Sequence, residues 1–482
     1  MFARSVVAVA FMGLALVFGA RAGGLTLEEA VLSAVANNPR TEAAEREADA
    51  ARAMKGEVAA NRLPRIDYEF SFIHLDDPPS LKVPDININL SDLGTALNGY
   101  FSGASQQLQA LGMPGLPAFP TQLGKTLSLP AFELAAPDTR RHTLSFRLPL
   151  YTGGRVRHAM SQVKNGAAAL DAAAESERRR LAFEVVQAYL SAVLAERAAL
   201  VNDKALATIE EHVKHAEALH DRGMIPKYDL MRALTERANQ ERRSLDAKNQ
   251  ADLAMAFLLD LMGEPDADFE KLETPLGIGG EVAFEFDEAA AAALEASSDM
   301  KALRHKETMY AAGIKAARSE LKPAAAFVAS KELRDEDLSA LTPEEFVGVV
   351  VRLPVFEGGA ARAKASRQRA LLRRNDSDIK RLENGVRLET RKYWLDLKSA
   401  EKALEASAMA VELAEESSRL ASRKYEVGEG TSIEVTDAAL ALSVAEVNLD
   451  RAKYQRDAAY FGLKKAMGLI LEEFSHRGGG IQ

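Results

Sequence analysis

The 482-residue chain contains no cysteine. That excludes disulfide staples, thiolate chemistry and any lipid anchor built on a cysteine behind a leader. Aromatic residues are scarce, at 6% with a single tryptophan, so thick aromatic cores are not expected. Past residue 22 no apolar stretch approaches 18 residues, which leaves no candidate transmembrane helix. Runs rich in Lys and Arg are missing and the net charge is −9, so a nucleic-acid partner is not expected. No Ser-His-Asp set or paired-carboxylate constellation stands out, and the chain reads as a non-enzyme without cofactor. Gly124-Lys125-Thr126 imitates the end of a phosphate loop. Phe119 stands where that loop needs its first glycine, however, and no strand precedes it.

What is present begins with an export leader. A basic start at 1–4, an apolar run at 5–18 and the small-x-small step Ala20-Arg21-Ala22 predict a signal peptide over 1–22. With no transmembrane helix behind it, a closed β-barrel is the remaining way to span a bilayer.

The mature chain repeats itself. Arg147-Leu148-Pro149-Leu150-Tyr151-Thr152-Gly153-Gly154 aligns with Arg352-Leu353-Pro354-Val355-Phe356-Glu357-Gly358-Gly359, an offset of 205. The same offset pairs Tyr189 with Trp394, Gly223 with Gly428, Asp229 with Glu434, and Met262-Gly263 with Met467-Gly468. Upstream, Leu27-Glu28-Glu29-Ala30 matches Phe286-Asp287-Glu288-Ala289 and Pro64 matches Pro323, at an offset of 259. The change of 54 places an insertion in the first repeat.

Repeat 1 therefore covers 23–263. Its expected elements are a helix at 26–61, strands at 65–75 and 139–150 around an inserted loop 76–138, a long helix at 155–221 and a helix at 227–262. A linker follows at 264–283. Repeat 2 covers 284–468, with a helix at 286–321, strands at 324–332 and 345–356, and helices at 360–426 and 432–467; a tail occupies 469–482. From 155 to 221 there is no proline, and Leu181, Val185, Ala188, Ala192, Ala195 and Ala199 recur at helical spacing. Gly223 stops that helix and Pro226 opens the next. Sixty-seven residues span about 100 Å, and each shorter helix about 54 Å, so two short helices end to end match one long one. Abundant alanine lets such helices lie close together. On helices alone, a coiled-coil rod or spectrin-like bundle is an open alternative.

The strand segments change the period from 3.6 to 2. Ile66-Asp67-Tyr68-Glu69-Phe70-Ser71-Phe72 and Thr143-Leu144-Ser145-Phe146-Arg147-Leu148 alternate strictly, and Val347, Val349, Val351 and Leu353 share one face. Segments of about ten residues with one apolar face fit a transmembrane barrel; a small half-buried soluble sheet is the plain alternative. Four strands cannot enclose an aqueous lumen, since even eight fill with side chains. Three copies would pool twelve. The fold class expected is a mixed α and β membrane protein: a trimeric 12-stranded outer-membrane β-barrel, four strands per protomer, continuous with a long α-helical periplasmic barrel.

Several residues carry a family resemblance. They are Leu25-Thr26-Leu27-Glu28-Glu29-Ala30 with Asn38-Pro39; Leu63-Pro64; Leu148-Pro149-Leu150-Tyr151 with Gly153-Gly154; and Tyr425-Glu426-Val427-Gly428 leading into Ser432-Ile433-Glu434-Val435. In this order, and partly doubled, they make the chain resemble the TolC-like outer-membrane efflux protein family over nearly all of its mature length. The resemblance implies a homotrimer in outer-membrane lipid. It also implies a periplasmic adaptor and an inner-membrane RND or ABC transporter as partners, and a passive exit duct for efflux or type I secretion. By family position, Glu434 and Asp437 form acidic rings at the periplasmic tip, Asp229 and Tyr425 help hold the tip closed, and Lys453 is a basic gate partner. Gly223, Gly428 and Gly430 lie at the tip turns, where adaptors make contact. Gly430 stands where the family's best-studied member has an arginine, so that closing bond is absent.

The residues themselves say less. Carboxylates repeated threefold around an axis favour cations, but Asp229, Glu434 and Asp437 also suit the first turns of ordinary helices. His212, His215 and His220 cluster near the first turn without the three or four convergent ligands of a metal site, so no metal is expected. The insertion is expected to be extracellular, proline-rich, with an amphipathic helix over 91–111, and either caps the barrel mouth or is a solvated loop. A periplasmic coiled-coil adaptor is the alternative from another class.

Overall fold

The computed structural model describes residues 24–77, 80–81, 86–120, 124–127, 132–133, 138–269, 271–280, 285–334, 345–427 and 429–477. The expected leader, Gly428, the end of the tail, and parts of the insertion and the linker lie outside the described residues. In chain order the elements begin with α1 (Leu27–Asn37), α2 (Pro39–Ala60) and β1 (Arg65–His74). The insertion holds β2 (Ser80–Leu81), β3 (Ile86–Asn89), α3 (Ser91–Ala110), β4 (Gly124–Leu127) and β5 (Phe132–Glu133). Then come β6 (Asp138–Tyr151), α4 (Arg155–Asp221), α5 (Lys227–Met262), α6 (Phe286–Ala296) and α7 (Ser298–Ser319). The last are β7 (Ala324–Arg334), β8 (Glu345–Arg352), α8 (Ala360–Glu426), α9 (Ser432–Ala466) and α10 (Ile470–Arg477). The chain divides into a helical unit (1–59, 154–320 and 356–482) and a strand unit (60–153 and 321–355).

In the helical unit, α4 packs along α5 and α7, and α8 along α9 and α7. The core gathers at mid-α4. Leu181, Val185, Val186, Tyr189 and Leu190 meet Leu27 and Val31 of α1, Leu258 and Met262 of α5, Phe461 and Leu463 of α9, and Ile470 and Phe474 of α10. The Tyr189 hydroxyl donates to the Leu25 carbonyl at 2.7 Å and accepts from the Thr274 amide at 2.9 Å, so polar backbone enters the core with partners. Asp457 of α9, fully buried, accepts from the amides of Gly277 (2.6 Å) and Gly279 (2.8 Å) and fastens the linker over this core.

The helix expected over 26–61 is two helices, and so is the one over 286–321. At Asn38-Pro39 the proline lacks the N–H that would continue α1, yet suits the first position of α2. The Asn38 side chain accepts from the Arg40 amide (2.8 Å) and donates to the Leu261 carbonyl (2.8 Å), capping α2 while tying the break to α5. Gly263, at φ +74, passes so close that a Cβ would sit 2.9 Å from the Asn37 carbonyl oxygen. In the second break, Ser297 ends α6 and its hydroxyl accepts from the Met300 amide to cap α7. Two smaller differences are a strand that stops at Arg352, two residues before Pro354, and a helix, α10, inside the segment expected to be a tail.

The strand unit is an antiparallel sheet of order β1-β6-β7-β8. Register decides its chemistry. Ile66 lies opposite Phe146, Phe146 opposite Ala329, and Ala329 opposite Val347. Side chains alternate along each strand, so Tyr68, Phe70, Phe72, Leu144, Phe327, Val349 and Val351 share that face. Asp67, Glu69, Thr143, Ser145, Arg147, Ser330 and Arg352 take the other. The apolar face is bare: Ile66 is 66% exposed and Val347 69%. In the insertion, Asn98 of α3 donates to the Phe119 carbonyl (2.7 Å) and accepts from its amide (2.6 Å), pinning the segment after α3 against the helix.

Candidate functional site

Two hairpin turns within the helical unit carry most of the candidate residues. At the α4–α5 turn, Gly223 adopts φ +71, its amide donates to the His220 carbonyl (2.8 Å) and that of Met224 to Leu219 (2.9 Å). This closes α4 with a left-handed glycine that a side chain would strain. Below it sits a small core of Ile209, Val213, Ala216 and Ala233, flanked by Ile225, Leu230 and Leu234. At the α8–α9 turn, the Glu429 and Gly430 amides both donate to the Lys424 carbonyl, at 2.9 and 3.0 Å. A Cβ on Gly430 would lie 3.0 Å from the Tyr425 nitrogen, so this turn is closed by backbone packing at the place where the resemblance expects an arginine.

Where α4 passes the α8–α9 turn lies a contact that sequence reading did not foresee. His212 of α4, 5% exposed, places its ring edge-on to Tyr425 of α8 with centroids 4.9 Å apart, and its Nε2 is 2.6 Å from the Ser432 hydroxyl of α9. Burial, then the charge of His215, lowers the His212 pKa. Burial, then the charge of Asp229, raises that of the Tyr425 phenol. The phenol oxygen is buried and finds no hydrogen-bond partner among the described residues.

Asp229 thus acts on the Tyr425 phenol through its charge, without a hydrogen bond to it. Glu434 is engaged locally: its carboxylate accepts from the Thr431 amide (3.1 Å) while the Thr431 hydroxyl accepts from the Glu434 amide (3.3 Å), a capping box. Asp437, one turn on, is exposed. The pattern Thr431-Ser432-Ile433-Glu434 could have announced the cap, whereas nothing in the sequence links His212 to a serine 220 residues away. Lys453 requires a correction. It lies 16 residues beyond Asp437 on α9, about 24 Å along the helix, and pairs with Asp450 at 3.3 Å beside Gly277 of the linker. It therefore belongs to the linker contacts and not to the tip. The three histidines do not converge: His220 instead donates to the Ile225 carbonyl (3.1 Å).

The sequence model of the outer membrane efflux protein family matches residues 123–264 and 289–469. The chain belongs to that family. Among curated relatives, the outer membrane efflux protein BepC of Brucella suis is 22% identical over 318 residues, 64% of this chain and 69% of that protein. Among solved structures, the outer membrane protein VceC of Vibrio cholerae superposes with TM-score 0.68 at 17% identity, covering 92% of this chain and 96% of that one. The open-state MtrE outer membrane channel of Neisseria gonorrhoeae does so with TM-score 0.68 at 16% identity, covering 92% and 89%. The chain is an outer-membrane efflux channel, with its helical portion in the periplasm. Family and fold are those of channels and not of enzymes. The rod, soluble-sheet and adaptor readings are set aside, because family membership supplies the membrane context in which a bare apolar sheet face is stable. Among the described residues no helix is long and apolar enough to cross a membrane.

Proposed function

We propose that three copies of this chain pool their four-stranded sheets into a twelve-stranded barrel in outer-membrane lipid. The helical units continue it as a passive duct, opened at its periplasmic end by an adaptor and an inner-membrane RND or ABC transporter, for efflux or type I secretion. The observation that carries this is the sheet. One face is largely apolar, interrupted by His142 of β6 and the Lys331–Glu345 pair of β7 and β8, and β1 and β8 each leave an edge unpaired within the described chain. Closure with neighbouring copies satisfies the edges, and lipid satisfies the face. Purified from membranes in detergent, the protein is expected to run as a heat-dissociated trimer and to form ion channels in planar bilayers. A water-soluble monomer without channel activity sinks the reading.

The tip is proposed as the gate, with Asp229, Tyr425, Glu434 and Asp437 as its residues and the turns at Gly223 and Gly430 as the adaptor contact. Because the Glu434 carboxylate is held in its capping box, Asp437 is the freer ring charge. Asp437→Ala is expected to raise conductance and relieve block by multivalent cations more than Glu434→Ala does. If conductance and block stay at the wild-type level in both variants, the gate lies elsewhere. The insertion, with α3 pinned at Asn98, is proposed as a cap over the barrel mouth; unchanged conductance after deleting residues 78–131 removes that role.

A further inference from the structure

Among the described residues, the buried His212 joins the first hairpin to the second at the tip, since it sits on α4 and touches both α8 and α9. The core beneath it is small. We propose that His212 is a proton-operated latch: neutral, it locks α4 of the first hairpin onto the α8–α9 turn, and its protonation in an acidified periplasm releases them and loosens the tip.

The charged and titratable groups facing it decide the direction. On α4, His215 stands one turn away and carries the same sign when protonated. From α8 the Tyr425 ring meets it edge-on, with the charge of Asp229 on α5 acting on that phenol. From α9 it meets the Ser432 hydroxyl. A neutral imidazole suits this setting, whereas an imidazolium is desolvated there and repelled by His215. Because burial depresses its pKa, the folded chain takes the proton less readily than the unfolded chain. The latch is therefore intact above about pH 6.5 and is lost as pH falls through the lowered value.

The consequence for conductance rests on the tip being the gate, so the test reads the latch separately. The chain has no cysteine, so spin labels can be placed cleanly at Asp221→Cys and Glu429→Cys, both exposed, in full-length trimers diluted with unlabelled protomers. Between about pH 7.5 and about pH 5 the label-to-label distance is expected to widen, with a midpoint below about pH 6.5. His212→Gln, which keeps a neutral amide near Ser432, is expected to abolish the widening, and His215→Gln, which removes the repelling charge, to move its midpoint to higher pH. An unchanged distance in the wild type, or a wild-type response in His212→Gln, overturns the latch. Bilayer conductance measured over the same range with acid on the periplasmic side should rise in step. Widening without a conductance change leaves the latch standing and fails the gate.

Discussion

Helices α4 and α8 are repeat equivalents of identical length, 67 residues, yet they live in different surroundings. Twenty residues of α4 are buried against eight of α8. Mid-α4 is wrapped by α1, α5, α9, α10 and the linker. Meanwhile α8 presents Leu388, Leu395, Met409, Leu413 and Leu420 to solvent, at 47–70% exposure. Those positions are separated by seven, fourteen, four and seven residues, the spacing of a coiled-coil seam. The two copies thus share length and turns but not surroundings: one long helix organises the protomer, and the other leaves an apolar stripe, broken at Lys402, exposed to solvent.

That contrast can be broken or sharpened by substitution. The largest effect is expected at Leu181→Ala on α4, fully buried, at about 2–5 kcal/mol in denaturant unfolding; a loss below 1 kcal/mol would erase α4's special place. Next, Asp457→Ala strips the partner from the buried Gly279 amide, for about 1–3 kcal/mol, and also from that of the exposed Gly277, and should raise hydrogen exchange across 271–280. Normal exchange there would mean the linker is held by something else. Thr431→Ala removes the cap of α9 for about 1 kcal/mol, read as faster exchange in its first turn. The smallest effect on the protomer is expected from Leu413→Ala on α8, within about 0.5 kcal/mol. Leu413→Lys combined with Leu420→Lys should nevertheless weaken the trimer on native gels, and a trimer of undiminished heat resistance would refute the seam.

Much of this architecture was legible because its punctuation is local. The end of α4 and the start of α5 coincide with Gly223 and Pro226, and the sheet register follows the two-residue alternation of 66–72 and 143–148. The helix breaks were read through for opposite reasons. At Asn38-Pro39 the apolar spacing continues across a proline that a helix start tolerates. At Ser297 no glycine or proline interrupts the sequence, and only the hydroxyl bond to Met300 reveals the cap. Of the site, the turns were legible and their union was not. A buried histidine meeting a tyrosine and a serine more than 200 residues away is a property of packing, and the same ignorance of packing put Lys453 at the wrong level of α9.

The two free strand borders of the sheet also bear on biogenesis. A solitary copy crossing the periplasm carries hydrogen-bonding rims ready to zip onto any passing extended peptide, beside an oily surface with no bilayer yet to receive it. Such a molecule cannot be stockpiled safely. Its traffic demands an escort, or capture by two siblings faster than its collisions with strangers, so the rate of ring closure sets how much of it a cell can export at once.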